Sequence, residues 1–152
     1  MRPPARFRFP LATVLRVSRL REEAARLRLA QALTRAAASR RALAETQKLM
    51  ADRLAALAGD APPARSAQDF LLHLRYLEHL SRAVGGWRER LAQDEAEADR
   101  ERQTLVQHHQ KTYLLERLRD KAWVRFRREL ARRQEQETEA MVLSRFRPGS
   151  EG

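Results

Sequence analysis

The side chains best suited to chemistry in this sequence are its four histidines, His73, His79, His108 and His109. A zinc site needs three or four converging ligands, from His, Cys, Asp or Glu. His108 and His109 are adjacent, so on a helix they point about 100° apart and cannot share a metal. No carboxylate is spaced to complete a site with His73 or His79. There is no Cys, which excludes thiolate ligands and disulfides and suits a reducing compartment. Ser18, Ser39, Ser66, Ser81, Ser144 and Ser150 lack the neighbours that activate a nucleophile. No glycine-rich loop is present to cradle a phosphate. The residues therefore predict no catalytic site, no metal and no cofactor, and a chain that is not an enzyme.

The elements that carry these residues read as helices. Of the six Pro, Pro3, Pro4, Pro10 and Pro148 lie near the ends, and Pro62 and Pro63 sit together between. The remainder is dominated by Ala, Leu, Arg, Glu and Gln, all strong helix formers. Helix one is expected over about 10–58, with Pro10 at a first-turn position. A turn follows at 59–65, where Gly59 and Pro62-Pro63 stop the helix. Helix two is expected over about 66–145, opened by Ser66 as N-cap with Asp69 three residues on. Residues 146–152 read as a disordered tail. Continuity is expected through Gly85-Gly86, with a kink or a close helix contact as the use of the pair.

Leu15, Leu29, Ala36, Leu43, Met50 and Leu57 fall on one seven-residue repeat, interrupted at Glu22. Leu33 and Leu54 are read as the companion seam, with Arg19, Arg26, Arg40 and Gln47 on the same positions. In helix two, Phe70, Leu77, Val84, Leu91, Ala98 and Leu105 repeat every seven, and Leu80, Trp87 and Leu115 form the second seam. Asp94, Glu101 and His108 interrupt it. The fold class is thus all-α: a single domain over 1–152, with two long helices in an antiparallel coiled-coil hairpin, the second helix longer. Counting from the turn sets Ala30 opposite Asp94 and Glu23 opposite Glu101, bringing both acids near Arg19 and Arg26. Helix one then runs out near Thr112, and about 30 residues of helix two project beyond it, given 1.5 Å per residue.

Net charge is +11, carried by 31 basic residues of which 28 are Arg. Residues 1–65 hold 14 basic and 5 acidic groups, residues 66–115 hold 7 and 8, and residues 116–152 hold 10 and 7. Such a basic pole suits an acidic protein, nucleic acid or an anionic membrane surface. Interleaved Glu and Asp, and the near-neutral middle, argue against nucleic acid. Nothing approaches the roughly 20 apolar residues of a membrane span, and the low apolar content of the basic end argues against insertion. The apolar run Leu11–Leu15 is too short for a signal-peptide core, and Pro3, Pro4 and Pro10 fit poorly in an amphipathic transit peptide.

Two stretches exceed what a seam needs. Phe70, Leu74 and Leu77 can face helix one, which leaves Leu72, Tyr76 and Ala83 off the seam as a partner site. The segment Trp123–Arg133 mixes aromatic and Arg residues on an unpaired helix, a pattern that docks on something.

Three segments resemble the flagellar export protein FliJ family. Phe7-Arg8-Phe9-Pro10-Leu11-Ala12-Thr13-Val14-Leu15-Arg16 is similar to the family's opening. Tyr76-Leu77-Glu78-His79-Leu80 is like its Tyr-x-x-x-Leu near the start of helix two. Leu115-Glu116-Arg117-Leu118, then Arg132-Arg133-Gln134-Glu135-Gln136 and Glu139, are like its C-terminal run. The chain departs from the family pattern at Gly85-Gly86 and Ala140-Met141. The resemblance implies a soluble component of the flagellar type III export apparatus, acting as central stalk of a hexameric export ATPase. It implies coupling to the cytoplasmic region of a membrane-embedded export gate and the handling of export chaperones, in the cytoplasm at the inner face of the membrane. The injectisome counterpart shares that shape and role. The gate contact falls on Tyr76, Leu80, Ala83 and Trp87. For the ATPase ring, the expected electrostatic contacts are Arg16, Arg19, Arg127, Arg128, Arg132 and Arg133.

Overall fold

The computed structural model describes residues 6–59 and 66–146, and 94% of these are helical in two helices, α1 (Ala12–Ala58) and α2 (Ala67–Phe146). No strand occurs among the described residues. The expected turn at 59–65, save Gly59, and the expected tail, save Phe146, lie outside them. Phe146 itself is the last residue of α2. α1 begins one turn after Phe9, whose carbonyl accepts the Ala12 N–H at 3.1 Å. At the start of α2 the Asp69 N–H donates to Ser66 Oγ at 3.2 Å, so Ser66 is an N-cap.

Packing divides the chain into two units. In each, α1 and α2 run antiparallel, as a hairpin of two helices with the second longer. The first unit holds residues 1–22 and 108–152. Its pairs run Ser18 with Thr112 (2.8 Å), Arg19 with Glu116 (3.3 Å) and Glu22 with His109 (2.7 Å). Leu15, Glu22 and Thr112 are buried there. Ahead of α1, the Phe7 ring meets Trp123 edge-on at 5.1 Å and Phe126 at 5.5 Å, and Trp123 stacks on Phe126 at 5.8 Å. Every residue from Ala131 to Phe146 is exposed.

The second unit holds residues 23–107. Its buried residues are Ala25, Ala32, Ala36, Leu77, Leu80, Val84 and Ala98, with Ser39 as the polar member. Ser39 Oγ donates to Asp94 at 2.5 Å, and Arg40 pairs with Glu95 at 2.9 Å.

Three expectations change. The companion seam of α1 is Ser18, Ala25, Ala32, Ser39, Thr46 and Arg53, all buried or half-buried, whereas Leu33 and Leu54 are 43% and 48% exposed. Alternate steps of three and four from Leu15 generate this seam, which keeps both rows facing the partner helix. Leu33 and Leu54 fall one position outside it. The register also differs. Asp94 faces Ser39 rather than Ala30, Arg19 pairs with Glu116, and Arg26 lies 3.8 Å from Glu23 within its own helix. Counting from the turn assumed that the helices start flush. In fact Phe70 and Leu74, expected to face α1, are 46% and 39% exposed at the head of α2, and polar pairs set the register. For the same reason pairing continues past Thr112 to Trp123 and Phe126, and the fully exposed run is residues 131–146, shorter than the expected overhang.

Gly85 and Gly86 lie inside an unbroken α2, and neither has positive φ. A Cβ on either would meet nothing within 4 Å, so no close helix contact uses the pair.

Candidate interaction surfaces

Two regions gather the predicted residues. The first is basic. The unit of residues 1–22 and 108–152 carries 17 basic and 8 acidic residues, a surplus of nine. Arg16 and Arg19 project from the first turns of α1, and Arg127, Arg128, Arg132 and Arg133 from α2, all of them exposed. Arg19 spends part of its charge on Glu116. None of the other five has a hydrogen-bond or ion-pair partner among the described residues.

At 3.6 residues per turn, Arg128 and Arg132 share one stripe with Arg117, Lys121 and Arg125. All five are exposed, and Arg117, Lys121, Arg125 and Arg128 line one shallow groove with Asp120 and Val124. Arg127 and Arg133 lie around the helix from that stripe. Sequence reading fixed on the doublets Arg127-Arg128 and Arg132-Arg133. The steps of four, four, three and four from Arg117 were the signal for the rest. Arg117 also sits 5.8 Å over the Tyr113 ring. Beyond the stripe, Met141, Val142, Leu143 and Phe146 are 60%, 46%, 68% and 80% exposed.

The second region is the start of α2 in the other unit. Phe70, Leu71, Leu72 and Leu74 are exposed there. Tyr76, Leu80, Ala83 and Trp87 follow on one stripe, stepping four, three and four. They differ in access. Leu80 is 5% exposed and belongs to the seam, Ala83 and Trp87 are half-buried, and Tyr76 is exposed. The Arg53 guanidinium covers one face of the Tyr76 ring at 4.6 Å and reaches His73 Nδ1 at 3.3 Å. Arg90 stands 5.7 Å over Trp87.

No group of three or more His, Asp or Glu among the described residues could hold a metal ion. His73 and His109 are engaged with Arg53 and Glu22. At Glu97, Arg100 beside it holds the carboxyl below its ordinary range by hydrogen bonding and charge. That pair is exposed and structural. No described helix is long and apolar enough to cross a membrane. What the arrangement offers is therefore contact surface: an exposed basic stripe in one unit and an aromatic-aliphatic face in the other.

Neither a curated protein nor a solved structure gives a significant match to the chain. The family model described as Flagellar FliJ protein matches residues 7–147, nearly the whole chain. The chain therefore belongs to the FliJ family and is a component of the flagellar export apparatus.

Proposed function

We propose that this chain is the central stalk of the hexameric flagellar export ATPase, with the unit of residues 1–22 and 108–152 placed within the ring. The observation that carries this reading is the exposed Arg row on α2 together with the surplus of nine positive charges in that unit. Arg16, Arg19, Arg127, Arg128, Arg132 and Arg133 form its electrostatic contacts, joined by Arg117, Lys121 and Arg125. A stalk performs no chemistry. It presents different faces to different ATPase subunits and so biases their conformations by differential contact.

At the other unit, Tyr76, Ala83 and Trp87 meet the cytoplasmic region of the export gate, with Leu80 supporting them from the seam. Export chaperones are further partners, no nucleic acid is bound, and the chain works in the cytoplasm at the inner face of the membrane.

The test is to mix the protein with the export ATPase of the same source and follow hydrolysis and ring assembly. Wild type is expected to stimulate both. Arg127→Glu, Arg128→Glu, Arg132→Glu and Arg133→Glu together are expected to abolish stimulation while α-helical content is kept. No stimulation by wild type, with salt-sensitive binding to DNA instead, overturns the reading in favour of a nucleic-acid-binding hairpin.

A further inference from the structure

A groove of about 550 Å³ runs between α1 and α2 in the unit of residues 1–22 and 108–152. Its floor is apolar: Val14 and Val17 from α1, Leu114 and Leu115 from α2. Val14, Val17 and Leu114 are 50%, 39% and 62% exposed, although the buried seam passes beside them. Its rim is cationic. Arg21 and Lys111 line it, no carboxylate does, and neither cation has a hydrogen-bond or ion-pair partner among the described residues. On α1, Arg16 and Arg19 project from another side than the groove, whereas on α2 Leu114 stands one turn before Arg117, so the groove adjoins the basic stripe.

We propose that this groove is a docking site for an acidic amphipathic helix of a partner protein. Two adjacent helices with apolar residues between them form the kind of trough that takes the apolar face of a third helix. Such a face offers about three to four apolar side chains per two turns, matching a short trough of this kind. Thr13, Ser18 and His108 complete the lining, and unpaired cations beside its apolar floor select for carboxylates beside that face.

A second copy of this chain fits less well. Its Asp94 and Glu95 are engaged with Ser39 and Arg40, and its Glu97 and Asp99 with Arg100 and Arg102; the exposed Glu135, Glu137 and Glu139 of a second copy are the case that the sedimentation arm of the test decides. A flat bilayer does not fill a trough between helices, and nucleic acid gains nothing from an apolar floor.

The test uses the full chain and two labelled 18-residue helical peptides, each with Leu at i, i+3, i+4 and i+7. One has Glu beside the Leu stripe and the other Lys. Fluorescence anisotropy at low salt is expected to show the Glu peptide binding at least about tenfold more tightly. Val14→Glu with Leu114→Glu should abolish binding, and Leu33→Glu, an exposed site in the other unit, should leave it unchanged. Arg21→Glu with Lys111→Glu should reverse the preference, so that the Lys peptide now binds better. Equal binding of both peptides, or loss of binding by Leu33→Glu as well, overturns the proposal. So does a dimer of the free chain, seen by sedimentation, that Val14→Glu dissolves.

Discussion

The two units of this hairpin are built from the same two helices yet hold together differently. Residues 23–107 bury Ala25, Ala32, Ala36, Leu77, Leu80, Val84 and Ala98, and their 14 basic residues nearly balance 12 acidic ones. Residues 1–22 and 108–152 bury, among those described, one aliphatic side chain, Leu15, beside Glu22 and Thr112, and add the cluster of Phe7, Trp123 and Phe126. Their 17 basic residues exceed 8 acidic ones. Apolar burial is the main favourable term in folding, and like charge opposes compaction. Apolar burial is thus concentrated in one unit and net charge in the other.

The sharpest way to break this contrast is to cut the apolar seam. Leu80→Ala removes a side chain that is 5% exposed, and is expected to cost about 2–3 kcal/mol, the lower part of the range for buried Leu. Urea unfolding followed by circular dichroism reads it. Leu15→Ala, on a row with Glu22 and beside Ser18, should cost less, and an equal cost would erase the distinction. Next in size are Gly85→Ala and Gly86→Ala. Both positions are helical with open space where a Cβ would stand, so each is expected to stabilise by about 1 kcal/mol. A loss of stability at either would mean that the pair is under a constraint that burial does not reveal. The most local effect is that of Phe7→Ala. It removes two ring contacts, each pair contributing about 0.5–1.5 kcal/mol beyond burial. Amide exchange should quicken near Trp123 and Phe126 with little change around Leu80. A uniform quickening would join the two units into one cooperative block.

How much of this could be read beforehand depended on side-chain size. The a-type row of α1 and both rows of α2 were legible, since Leu15, Leu43, Leu77 and Val84 announce a seven-residue period. The companion row of α1 was not, because Ala25, Ala32 and Ser39 carry little hydrophobic signal while Leu33 and Leu54 nearby carry much. Register was illegible for another reason. It is set by Ser39 with Asp94 and Arg40 with Glu95, pairs between residues 55 apart in sequence, and no local pattern encodes that. The candidate basic surface was half legible. Doublets such as Arg132-Arg133 catch the eye, but consecutive residues on a helix diverge by about 100°, and only the three-and-four spacing from Arg117 gathers a face.

The sequence separations of the cross-helix pairs also set an order of assembly. Arg53 and His73 are 20 residues apart, Ser39 and Asp94 55, Glu22 and His109 87, and Ser18 and Thr112 94. Closing a loop of 94 rather than 20 residues directly costs about 1.4 kcal/mol more chain entropy, so long-range pairs form most readily after short ones have shortened the loop. Short-range pairs therefore close before long-range ones. The basic unit closes last and, by the same thermodynamics, frays first, which makes it the easier of the two to pry apart or to clamp shut.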